Sequence, residues 1–65
     1  MRLHEERVVA EKVELDKKIL ALTTFIIDSY VYKGLDETDR ELLIIQECYM
    51  KEYSNVLNRR ISRFK

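Results

Sequence analysis

Four cations, Arg59, Arg60, Arg63 and Lys65, fall within the last seven residues of the chain with no acid among them. Guanidinium groups at this density can grip phosphate oxygens through paired N–H donors, a geometry that lysine cannot reproduce. The same residues also suit the negative end of a helix dipole, where cations are favoured generally. Tyr49 and Tyr53 offer flat, amphipathic faces for stacking on a base or touching a ribose, although tyrosines at helical spacing are also common core and interface fillers. Gln46 and Asn55 carry both donors and acceptors and could read polar edges; Gln46 stands near a heptad seam, where a buried amide costs free energy unless it binds something or fixes register. Lys12 and Lys18 add two more phosphate partners. Arg59, Arg60, Arg63, Tyr53, Tyr49, Lys18, Lys12, Gln46 and Asn55 are therefore the candidate ligand-binding residues, and Arg60, close to the seam of Tyr53 and Ile61, is the arginine expected to point inward. Tyr30 and Tyr32, beside Lys33, are a second place where a ring could stack.

Other chemistries find little material. His4 is the single histidine and Cys48 the single cysteine, with no CxxC or HExxH spacing, so neither a catalytic nucleophile with its base nor a metal site is expected. His4 with Glu5 and Glu6 matches no metal-ligand pattern. Cys48 lies near an apolar seam and reads as a small reduced hydrophobe. The expectation is a non-enzymatic protein with no cofactor.

These side chains must be held by helices. The 65 residues include no proline and one glycine, 37% are charged, and Glu, Lys, Arg, Leu and Ile dominate, a composition of long helices. Val8, Leu15, Ile19, Leu22 and Ile26 form one seam between residues 3 and 32, with Val9, Val13, Leu20, Ile27 and Val31 beside it. Lys12 interrupts the first seam, and Glu14 is spaced to pair with Lys18. Gly34 is expected to close this helix in a left-handed C-cap. Asp36 is the favoured N-cap of a second helix over residues 37–64, with Thr38 and Glu41 offering an alternative capping box. That helix repeats Leu43, Met50, Leu57 and Phe64 every seven residues, flanked by Leu42, Ile45, Tyr49 and Val56.

Two helices of similar length joined by a turn at about 33–36 run antiparallel, so the fold expected is an all-α hairpin forming one domain over residues 1–65. Each helix carries a wider apolar stripe than one partner covers, and a chain this short cannot bury a large core. Assembly into a homo-oligomeric helical bundle is expected to supply the remainder. The antiparallel course gathers Arg2, His4 and Arg7 at the end that holds the C-terminal arginines, and symmetry would multiply that cluster. Twelve cations balance twelve acids, and no short basic recognition helix is evident, which argues against nucleic acid as partner. No apolar stretch approaches the roughly 20 residues of a membrane span, and the N-terminus reads as no secretory signal, which implies a cytoplasmic protein.

The pairing of Glu11, Lys12, Glu14, Leu15, Lys18 and Ile19 with Leu42, Leu43, Gln46, Met50, Tyr53, Arg60 and Ile61 resembles a family of small helical-hairpin proteins of tailed phages, crAss-like phages among them. The resemblance covers most of the chain. It implies a phage accessory protein acting in the cytoplasm of an infected bacterium. Small phage helical oligomers of this style are similar to counter-defence proteins that sequester cyclic-nucleotide immune signals between protomers, although the His-x-x-Ile-x-Gly-Tyr-Arg stretch of one anti-CBASS sponge family is absent here. Two partners follow as expectations: a phosphorylated signal such as a cyclic nucleotide or ADP-ribose derivative, or a host defence protein whose groove accepts a helix face.

Overall fold

A computed structural model describes residues 2–64. Three helices follow in order: α1 (Leu3–Asp28), α2 (Tyr30–Lys33) and α3 (Glu37–Ile61). The long helices α1 and α3 lie antiparallel in an all-α hairpin measuring 47 × 15 × 14 Å. Among the described residues no helix is long and apolar enough to cross a membrane.

The first seams of the two helices meet. Val8, Leu15 and Leu57 form the buried core, Leu57 being wholly inaccessible, and Ile19, Met50, Ile61 and Phe64 pack against them. The edge of the His4 ring meets Phe64 with centroids 6.3 Å apart, so the chain's two ends share one end of the hairpin. The second seams remain in solvent: Val13, Leu20 and Ile27 on α1, and Leu42, Ile45, Tyr49 and Val56 on α3, are all exposed.

The turn differs from the sequence expectation. The first helix does not run unbroken to residue 32. Ser29 is extended (φ −87°, ψ 129°), and its hydroxyl oxygen accepts a bond from the Val31 amide at 3.1 Å, capping a separate single turn. Serine competes with the helix ladder in this way because its side chain offers the backbone another partner. Gly34 is right-handed (φ −86°, ψ −6°), not the left-handed cap expected, and no residue has positive φ among those described. Since α1 has already ended at Ser29, the Gly34 amide simply closes the short turn by donating to the carbonyls of Tyr30 and Val31. Asp36 does cap α3, its carboxylate accepting from the Thr38 amide at 3.2 Å. At the far end α3 stops at Ile61, where Arg63 and Phe64 tighten to three-residue hydrogen bonds and the Ser62 hydroxyl donates to the Arg59 carbonyl at 2.7 Å. The expected Glu14–Lys18 pair is replaced by Glu14–Lys17 at 3.2 Å.

A candidate ligand-binding face

Two flanks of the core seam carry different chemistry. Glu47 and Ser54 stand four residues after Leu43 and Met50 on α3, and Lys12 stands four after Val8 on α1. Most of this flank is paired, although Arg40, one heptad before Glu47, has its Nε buried with no hydrogen-bond partner among the described residues. Lys12 Nζ lies 2.7 Å from Asp16 Oδ2, while the Ser54 hydroxyl donates across the hairpin to Asp16 Oδ1. One heptad further along α1, the Thr23 hydroxyl donates to Glu47, which also faces Lys51 at 3.8 Å. Lys12 and then Ser54, by hydrogen bonding to its charged form, hold the Asp16 carboxyl below its ordinary range, against the opposing effect of partial desolvation. Lys12 is thus spoken for, and its position on this flank separates it from the other candidates.

The opposite flank is open. Gln46, Tyr53 and Arg60 stand three residues after Leu43, Met50 and Leu57 and so repeat at heptad intervals along one edge of α3, with Tyr49 beside them. Lys18 stands three after Leu15 on α1 and borders the same face in an antiparallel hairpin. All five are exposed. Gln46 is in solvent, its amide 3.8 Å from the Met50 sulfur, so the burial cost expected of it does not arise. Arg60 also points out rather than inward, because Leu57 and Ile61 fill the seam beside it.

The remaining candidates are placed elsewhere. Asn55 and Arg59 lie on the outward side of α3, and Arg63 is in the terminal turn beyond it. Arg59, Arg60 and Arg63 form no ion pair among the described residues. Lys65 lies outside the described residues. Cys48 is exposed, not the seam hydrophobe expected. Near the turn, the Lys33 ammonium sits 5.5 Å from the centre of the exposed Tyr30 ring, while Tyr32 packs edge-on against Phe25 at 5.9 Å. No cavity and no metal-binding group of histidine, cysteine or acidic side chains is present among the described residues. The face can offer stacking surface, amide edges and two cations, but one chain does not enclose a ligand.

The sequence reading missed both cross-hairpin clasps. Their signal was present: Asp16 and Thr23 are seven residues apart on one helix, Glu47 and Ser54 seven apart on the other.

Comparison with known proteins agrees with the phage resemblance. The chain is 35% identical over 65 residues, the full length of both sequences, to the "Uncharacterized 7.5 kDa protein in denB-rIIB intergenic region" of Enterobacteria phage T4. No solved structure matches. The model of the Sequestin family matches residues 3–63, nearly the whole hairpin and all nine candidate ligand-binding side chains, and the chain belongs to the Sequestin family.

Proposed function

We propose that this protein is a phage counter-defence factor that acts without catalysis, in the bacterial cytoplasm during infection, by sequestering a small phosphorylated or cyclic nucleotide immune signal within a homo-oligomer. The observation that carries the reading is the single open face bearing Tyr49, Tyr53, Gln46, Lys18 and Arg60. Rings supply stacking, the amide reads polar edges, and the two cations neutralise phosphate. The family name speaks of sequestration without naming what is held. Because one hairpin encloses no cavity, burial of a ligand requires a second chain over this face.

The test is native mass spectrometry of the purified protein against a panel of cyclic nucleotides and ADP-ribose derivatives. A fixed ligand mass per oligomer is expected, abolished by Tyr53→Ala and by Arg60→Ala with helicity unchanged. Loss of helicity would return those residues to a structural role.

A second reading rests on the exposed Leu42, Ile45 and Val56, which form an apolar strip suited to a groove on a host defence protein. An apo-oligomer across the whole panel, together with a stoichiometric complex with a defence protein, would favour it.

A further inference from the structure

The accessible surface of the chain is 5278 Å², whereas a compact monomer of its mass would expose roughly 4,400 Å². Eight of the twelve exposed large hydrophobics among the described residues fall in two apolar strips. On α1, Val13, Leu20 and Ile27 are 49%, 67% and 64% exposed. They interleave with Asp16 and Thr23 at spacings of three and four, so they lie on the face that carries the clasps. On α3, Leu42, Ile45, Tyr49, Tyr53 and Val56 occupy the opposite, open face.

Each strip reads the same in both directions. Val13 and Ile27 are seven residues either side of Leu20; Ile45 and Tyr53 are four, and Leu42 and Val56 seven, either side of Tyr49. A helix whose apolar positions are symmetric about one residue matches an antiparallel copy of itself, which is the requirement of a two-fold contact. The zero formal net charge leaves no general repulsion between copies. The clasps Asp16–Ser54 and Thr23–Glu47 also fix the register so that Leu20 and Tyr49 lie at nearly the same height along the hairpin.

We infer that each hairpin pairs with two other copies of itself, through a two-fold contact centred on Leu20 on one face and another centred on Tyr49 on the opposite face. A single partner covers only one strip. Two different two-fold contacts on one chain generate a dihedral assembly, so a closed particle contains an even number of chains and at least four. The Tyr49 contact brings two open faces together, so each copy completes the other's candidate site. The inference stands on apolar spacing and exposure, and its test reads assembly alone, so a failure to find a nucleotide leaves it intact.

The wild-type chain should give a native mass of four or a higher even number of chains. In a Cys48→Ser background, Leu20→Cys and Tyr49→Cys should each form covalent dimers under mild oxidation at least tenfold faster than Asn55→Cys on the outward side, since a residue on a two-fold axis meets its own copy within disulfide reach. The variant carrying both cysteines should yield covalent species of four chains or more. A wild-type mass of one or two chains, or cross-linking at only one of the two positions, would overturn the inference.

Discussion

Asp16 takes part in one of the two cross-hairpin hydrogen bonds, receiving Ser54 from α3 as well as Lys12 from its own helix. Both partners favour the ionised form, so the folded chain holds this carboxyl below its ordinary range. A carboxyl depressed on folding contributes stability that is fully present above its unfolded value, about 3.9 for aspartate, and is lost as pH falls through the lower folded value. Thermal melts should therefore be flat above about pH 5 and decline below about pH 4, by a small amount because the group is solvated and screened. Asp16→Asn should lower the melting temperature at neutral pH and flatten that acid decline. An acid decline of equal slope in the variant would assign the effect to another carboxylate.

At the scale of elements, the turn departs furthest from what its residues suggested. Gly34 has ordinary right-handed angles, and an added Cβ would meet the Tyr30 and Val31 carbonyl oxygens at 3.6 and 3.7 Å, normal van der Waals distances. Gly34→Ala should then stabilise the hairpin by about 0.4–1 kcal/mol by restricting the unfolded chain. A lower melting temperature instead would show that the turn uses conformations the alanine cannot reach. The two long helices, their facing heptads and the Asp36 cap were legible because periodicity and capping are local patterns. The break at Ser29 was not, since the serine looks like any polar helix residue until its hydroxyl takes the Val31 amide. Among the candidate ligand residues, the Gln46, Tyr53, Arg60 series was written in the heptad, but the division of Lys18 from Lys12 depends on which side of the seam each occupies once two helices are docked. A single-helix pattern does not contain that relation.

For the whole molecule, the small core sets the terms. Leu57 is the one fully buried large side chain among the described residues, and Leu57→Ala should remove about 2–5 kcal/mol. That is a large share of what a chain of this length can hold, so the variant's helical circular dichroism should be lost at low concentration and regained as concentration rises. Signal that is lost equally at all concentrations would show that folding precedes association. The separation of α2 from α1 carries a further consequence. Tyr30–Lys33 is a single helical turn, shorter than a self-sustaining helix, and it places the exposed Lys33 just before the connection. Limited trypsin should cut after Lys33 before it cuts either long helix, leaving residues 1–33 and 34–65 as two peptides still clasped along their seams. The connection would then serve mainly to raise the effective concentration of one helix about the other, and the molecule could be made as two separate peptides that find each other and rebuild the same fold.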